Sequence, residues 1–226
     1  MRALLWKDYR VNRGVLVMGV ALLLGPYVAV AAGTAYEYWP VVPPAAQCAA
    51  LLVVASVFSL GLSQLTLVTL AGNAIAAERA DRSAEFLAYL PPSRLRILAS
   101  KALLALLAAA VIWAVNLIVA DIVAPAVGTP RGNLVDGLAD RSILAASSVM
   151  LFGAAWLGSA FLTSPAIATS LGLGATLAVP FLVAATFALL GWPREDLQHW
   201  YELTCLVLGG LCFACGSAYY LRRVEP

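Results

Sequence analysis

The chain has 226 residues, of which 62% are hydrophobic and only 12% are charged. Soluble globular proteins carry about 25% charged residues, so this composition excludes a soluble globular protein and predicts one embedded in a membrane. The formal net charge of +2 does not indicate nucleic-acid binding, and the four cysteines lie in or beside apolar segments, which argues against a disulfide framework. We therefore expect a single transmembrane domain over residues 1–226 and no separate soluble domain.

The N-terminal segment, "MRALLWKDYRVNRG", mixes apolar and basic residues at short spacing. Leu4, Leu5 and Trp6 alternate with basic residues at positions 2, 7, 10 and 13, which is typical of an amphipathic helix lying in the membrane interface. The alternative is a basic N-terminal tail without that role.

Six apolar segments follow, each long enough for a membrane-spanning helix of about 20 residues. They cover about residues 14–33, 45–77, 102–124, 142–162, 165–191 and 203–221. The stretch from Ser142 to Pro193 carries no charge and is too long for one helix, and Thr163-Ser164-Pro165 divides it in two. The sequence thus predicts an all-α polytopic membrane protein with six transmembrane helices.

The distribution of basic residues predicts the orientation of these spans, because short cytoplasmic loops are enriched in Lys and Arg. With the N-terminus inside, 11 of the 14 basic residues fall on the cytoplasmic side, and only Arg131, Arg141 and Arg194 fall outside. We therefore expect a multi-pass protein of the cytoplasmic membrane with both termini in the cytoplasm.

The most charged segment is "AAERADRSAEFLAYLPPSRLRILASK", from Ala76 to Lys101, which holds eight of the 26 charged residues. The second span before it has about 33 residues and would reach about 50 Å as a helix, against about 30 Å of hydrocarbon. Either the helix tilts strongly or its inner end leaves the membrane. In the second case residues 83–90 form a short cytoplasmic helix with Phe86 and Tyr89 on its apolar face, and Pro91-Pro92 ends it.

This segment resembles the signature of the ABC-2 type transporter permease family. The matching positions are Glu78-Arg79, Ser83-Ala84-Glu85, Leu87, Leu90-Pro91, Ser93-Arg94 and Lys101. The N-terminal "LLWKDYR" is similar to the basic elbow helix that precedes the first span in that family. The sequence departs from the pattern at Arg82-Ser83, where many members have Gly-Thr, so the start of the short helix is not fixed by the resemblance.

The resemblance implies a permease subunit, here an exporter, that pairs with a second permease chain and with two ATP-binding subunits. In such proteins the short cytoplasmic helix is the coupling helix, which docks in a groove of the ATP-binding subunit. The residues assigned to that contact are Glu78, Arg79, Arg82, Glu85, Phe86 and Tyr89. The chain lacks the G-x-x-x-x-G-K-[ST] motif, so ATP and Mg²⁺ are expected on the partner subunit, with no cofactor, metal or catalytic residue in this chain.

Two further features are candidates for a translocation path or a helix interface. Polar side chains recur at spacings of three and four along one side of the second span; they are Ser56, Ser59, Ser63, Thr66 and Asn73. Small hydroxyl residues also pack helices closely, and this second interpretation is favoured. Asp121 lies about one turn before Pro125, where it is either a functional acid or a residue in interfacial water.

Other functional classes have weaker support. Cys212-x-x-Cys215 lies within an apolar helix and is interpreted as packing, since two cysteines alone do not make a zinc site. "DGLADR", from Asp136 to Arg141, only partly matches the motif of membrane phosphatidyltransferases, and it lacks the further downstream aspartates. A membrane scaffold that transports nothing is the main alternative to a permease.

Overall fold

The computed structural model describes residues 2–38, 44–80, 93–123, 134–193 and 196–223. These ranges form seven α-helices: α1 (Arg2–Val11), α2 (Arg13–Tyr38), α3 (Ala45–Ala80), α4 (Arg94–Ile118), α5 (Leu134–Phe161), α6 (Pro165–Leu190) and α7 (Leu197–Arg223). A π-helical turn, Val119–Val123, continues α4. The prediction of an all-α fold is therefore confirmed for the described ranges.

Helices α2 to α7 are all long and apolar enough to cross a membrane. Each predicted span lies inside one of these helices apart from a single residue at its end, except the third, 102–124, which continues from α4 through the π-helical turn to residue 124 outside the described ranges. The chain is accordingly an integral membrane protein. Residues 81–92, which include the predicted coupling helix, lie outside the described ranges.

Helix α3 is unbroken over 36 residues and so is about 54 Å long at 1.5 Å per residue. That exceeds the hydrocarbon thickness of about 30 Å, as the sequence predicted. Helix α4 begins at Arg94, earlier than the predicted span, because the N–H groups of Arg96 and Ile97 bond to the carbonyl of Ser93. Two long helices therefore lead into and out of residues 81–92.

The division at Thr163-Ser164-Pro165 is confirmed. Helix α5 ends at Phe161, and α6 begins at Pro165, whose missing N–H is not needed at that position. The Ser164 side chain accepts a hydrogen bond from the N–H of Ile167 and so caps the helix. At its other end α6 stops at Gly191, which has a φ of +66° that glycine adopts without steric cost.

The chain divides into two compact units. The first comprises Met1–Arg13, Leu67–Ala105 and Ser142–Pro226, and its main core surrounds Trp156 of α5, which is fully buried. Ile75 of α3, Leu98 of α4 and Tyr220 of α7 belong to the same apolar cluster as Trp156. The first unit thus brings α3, α4, α5 and α7 into one core.

Close backbone contacts also hold the first unit together. A Cβ atom on Gly153 of α5 would lie 2.0 Å from the carbonyl oxygen of Gly209 in α7. Ser159 of α5 accepts a hydrogen bond of 2.7 Å from the backbone N–H of Ile75 in α3. Small residues therefore let these helices approach to backbone contact, as is common in membrane bundles.

The second unit comprises Gly14–Thr66 and Leu106–Arg141. Pro26 interrupts the hydrogen bonding of α2 because it has no N–H, and Ser59 of α3 donates to the carbonyl of Leu23 at 2.7 Å. The hydroxyl of Tyr27 donates to Oδ1 of the buried Asn116 in α4 at 2.7 Å. Side-chain hydrogen bonds thus join α2 to both α3 and α4 in this unit.

Candidate functional site

Four charged side chains from three helices meet at one end of the first unit. Lys7 and Asp8 lie on α1, Glu78 lies in the last turn of α3, and Lys101 lies in the second turn of α4. The Nζ atoms of Lys7 and Lys101 lie 2.6 Å and 2.9 Å from Oε1 of Glu78. Lys101 Nζ also lies 3.5 Å from Oδ1 of Asp8. We call these four residues the charge cluster.

The charge cluster is buried and electrically balanced. The exposed fractions of the side chains are 6% for Asp8, 8% for Lys101, 9% for Glu78 and 33% for Lys7. Two positive and two negative groups are present, so each buried charge has a partner of opposite sign. Pairing of this kind is what makes ionised groups tolerable in a low-dielectric interior.

Ser100 extends the charge cluster through Asp8. Its fully buried hydroxyl donates a hydrogen bond of 2.5 Å to Oδ2 of Asp8, while Oδ1 of the same carboxylate faces Lys101. Both carboxylate oxygens of Asp8 are therefore occupied by neighbouring residues of α4. This arrangement attaches α1 to the start of α4 independently of the contact with Glu78.

A small cavity lies beside the charge cluster. Asn12 donates to the carbonyl of Asp8 at 3.0 Å, and none of the described residues donates to its buried Oδ1 atom. Asn12, Asp8 and Lys101 line the cavity together with apolar residues of α3 and α4. Its volume of about 10 Å³ corresponds to roughly one water molecule.

The charge cluster connects three helices. Its carboxylates are held by ammonium and hydroxyl donors. It joins α1 to the two helices that flank residues 81–92. The position of these helix ends is therefore fixed by charges that cannot separate without leaving buried ions unpaired.

The structure locates two of the six residues predicted to contact an ATP-binding subunit. Glu78 belongs to the charge cluster, and Arg79 beside it is partly buried. The other four, Arg82, Glu85, Phe86 and Tyr89, lie outside the described ranges. The docking role of this segment stays a prediction, and Glu78 has an internal structural role that the sequence did not indicate.

The polar stripe on α3 is largely buried. Ser56 and Ser59 donate to the carbonyls of Val53 and Leu23, both at 2.7 Å, while Asn73 is only partly buried. Within the described ranges the hydroxyls of Ser63 and Thr66 have no hydrogen-bond partner. Ser59 therefore bridges two helices, as expected for packing, and the translocation-path interpretation of the stripe stays a prediction.

Asp121 forms an ion pair that the sequence did not reveal. Its Oδ1 lies 2.7 Å from Nη1 of Arg141, whose side chain is only 6% exposed, whereas that of Asp121 is 42% exposed. Asp121 lies in the π-helical turn, a distortion that is frequent at functional sites. The partial exposure fits the expectation of an acid at the membrane interface, and no role in transport follows from the pair.

Sequence reasoning missed Asp8 of the charge cluster, its neighbours Ser100 and Asn12, and one residue in the middle of α3. Asp8 is the one acid in the basic N-terminal segment, which was an available signal. Gln64 was also missed; it is 5% exposed, and among the described residues its amide has no partner.

Comparisons with protein-family models, with curated proteins and with solved structures return no match.

Proposed function

We propose that this chain is the membrane permease subunit of an ABC-2 type transporter, an exporter driven by ATP that a separate subunit hydrolyses. The observation that carries this proposal is the buried charge cluster at the ends of α3 and α4, which flank the segment resembling a coupling helix. A transporter of this kind needs a rigid connection between the docking segment and its membrane helices.

The charge cluster supplies such a connection. Asp8, Glu78 and Lys101 are each more than nine-tenths buried, so their ion pairs cannot re-form in another arrangement without repacking the helix ends. A force on residues 81–92 would therefore move the end of α3, the start of α4 and α1 together.

Helices α3 and α4 also contribute residues to both compact units. Movement applied at residue 80 or residue 94, in the first unit, would thus pass along the helix to its residues in the second unit. In the proposed assembly, closure of two ATP-binding subunits supplies that movement to a pair of permease chains. ATP and Mg²⁺ bind to the partner subunits, and this chain contributes the path through the membrane.

The proposed location is the cytoplasmic membrane, with both termini and residues 81–92 in the cytoplasm. The concentration of basic residues on that side supports this orientation. This orientation is checked by fusing either terminus to a reporter that functions only in the cytoplasm. Both fusions should give an active reporter.

The proposal is tested by reconstitution with an ATP-binding protein encoded next to this chain. The two proteins should co-purify, and ATP turnover in lipid vesicles should be several-fold higher with the chain than with the ATP-binding protein alone. Co-purification without any change in turnover would favour the membrane scaffold. Failure to form a complex with any such ATP-binding protein would contradict the permease assignment.

A further inference from the structure

Helix α1 buries an acid and exposes aromatic side chains. Its buried residue Asp8 belongs to the charge cluster, Leu4 and Leu5 are partly buried, and Asn12, directly after the helix, lines the small cavity. The outward side carries Trp6 and Tyr9, which are 63% and 41% exposed. Aromatic side chains exposed in this way fit an environment less polar than water.

The position of α1 in the chain places this outward side at a membrane surface. Lys7 and Asp8 attach α1 to the end of α3 and the start of α4, both of which are candidate membrane spans. A single residue, Asn12, separates α1 from α2, the first candidate span. Because α1 leads directly into α2, it lies where that span begins, which is the level of the lipid headgroups.

The aromatic residues of α1 form a pair suited to that level. The rings of Trp6 and Tyr9 are stacked, with centroids 5.5 Å apart and planes at 27°. Tryptophan and tyrosine concentrate at membrane interfaces because their rings are apolar while their N–H and O–H groups remain polar.

The charge of the outward side is positive only. Arg10 and Arg13 are exposed, while Asp8, the acid of this segment, is buried against Lys101 and Ser100. Lys7 adds a partly exposed ammonium group, although it also contacts Glu78. No exposed acid among residues 3–13 offsets these charges. Basic residues at a membrane surface attract anionic headgroups, and guanidinium groups bind phosphate in particular.

We infer that the outward side of α1, with Trp6, Tyr9 and Arg10, together with Arg13 at the start of α2, binds the phosphate headgroups of anionic phospholipids. The charge cluster makes this possible by neutralising Asp8 internally, so that no carboxylate of residues 3–13 repels the lipid. Binding at this position would hold α1 at the membrane surface. The inference concerns lipid binding and does not depend on an ATP-binding partner.

The inference is tested with the purified full chain in detergent, by native mass spectrometry during titration with phosphatidylglycerol or with phosphatidylcholine of the same acyl chains. The wild-type chain should retain phosphatidylglycerol preferentially. The variant Arg10→Gln/Arg13→Gln should lose roughly thirtyfold in that preference, as expected for two basic residues at a membrane surface, and should bind phosphatidylcholine as before. Added inorganic phosphate should not displace the lipid, because the aromatic pair contacts only a lipid surface.

A matched control separates α1 from the general positive charge of the protein. Arg96 and Arg222 are exposed bases outside α1, and Arg96→Gln/Arg222→Gln removes the same charge. This control should keep the preference for phosphatidylglycerol. All variants are checked for an unchanged gel-filtration profile and melting temperature before lipid is added.

Three results would overturn the inference. An equal loss of phosphatidylglycerol preference in both double variants would show that the lipid is attracted by the overall positive charge and not by a site on α1. Unchanged preference in Arg10→Gln/Arg13→Gln would show that these guanidinium groups do not bind the lipid. Unchanged lipid preference together with loss of an ATP-binding protein from the complex would assign the outward side of α1 to a protein partner.

Discussion

Lys101 is the residue on which the charge cluster depends. Its ammonium group faces both carboxylates, 2.9 Å from Oε1 of Glu78 and 3.5 Å from Oδ1 of Asp8. Without it, Glu78 keeps the contact with Lys7, but Asp8 becomes a buried acid with no ion pair among the described residues. Breaking a buried ion pair on one side is far more destabilising than losing a surface pair.

We predict that Lys101→Met destabilises the protein by about 3–5 kcal/mol, because it leaves a buried carboxylate uncompensated. That loss corresponds to a fall of roughly 10 °C in melting temperature for a protein of this size. The measurement is thermal unfolding of the purified protein in detergent, followed by gel filtration.

Arg96→Met is the matched control, since Arg96 is an exposed base on the same helix and should leave the melting temperature nearly unchanged. Adding Asp8→Asn to Lys101→Met should recover part of the loss, because the uncompensated acid is removed. If Lys101→Met and Arg96→Met have the same melting temperature, the charge cluster does not stabilise these helix ends.

At this scale the sequence predicted a contact of Glu78 with a partner subunit but did not reveal its ion pairs with Lys7 and Lys101. An acid at the end of an apolar helix, followed by further charges, indicates a helix end that meets water. The contact of Ser100 with Asp8 joins residues 92 positions apart, and sequence periodicity carries no information about such pairs. Asp8 was missed for this reason, since an acid among bases in one short segment is equally consistent with exposure.

At the scale of the helices, glycine determines how closely α5 and α7 approach. A Cβ on Gly209 would lie 2.5 Å from the carbonyl oxygen of Val149, a distance that forces the helices apart. The next residue, Gly210, has no atom within 4 Å of its virtual Cβ. The two neighbouring glycines therefore differ in packing, although their helix propensities are the same.

We predict opposite effects of alanine at these two positions. Gly209→Ala should lower the melting temperature by several degrees, since overpacking typically costs about 1–3 kcal/mol. Gly210→Ala should leave it unchanged or raise it, because alanine favours a helix by up to about 1 kcal/mol over glycine. The melting temperatures of both variants are measured by thermal unfolding in the same detergent. Equal melting temperatures would contradict the close approach of α5 and α7.

The helices themselves were largely predictable, because charge gaps and proline positions mark the ends of membrane spans. Ser164-Pro165 supplied both a cap and a helix start, and α6 begins there. The π-helical turn at Val119–Val123 could not be predicted, since it depends on how the chain meets its neighbours and Asp121 finds a partner in Arg141 only after folding. The sequence also did not show that Asp8 is buried and that Trp6 and Tyr9 are exposed on α1. Residue spacing shows that a helix is amphipathic, but it does not show which side is buried.

At the scale of the molecule, composition predicted an all-α membrane protein with six spans; the described ranges are helical, and helices α2 to α7 are long and apolar enough to cross a membrane. The division into two compact units could not be predicted, because its boundaries fall inside the continuous helices α2, α3, α4 and α5 rather than in loops. The proposed transport mechanism belongs to this scale, since it requires α3 and α4 to carry movement along their length.

The most direct test of that mechanism is the ATP turnover of the partner subunit, assembled in lipid vesicles with Phe86→Ala. Phe86 is the predicted aromatic anchor of the docking segment, and buried aromatic anchors often dominate the energy of an interface. Phe58→Ala is the matched control, because Phe58 is a 62% exposed phenylalanine of α3 outside the docking segment. Wild-type and Phe58→Ala chains should stimulate turnover equally, while Phe86→Ala, at the same level in the membrane, should reduce turnover to that of the partner alone. Undiminished stimulation by Phe86→Ala, and also by Glu85→Arg, would contradict docking through residues 81–92.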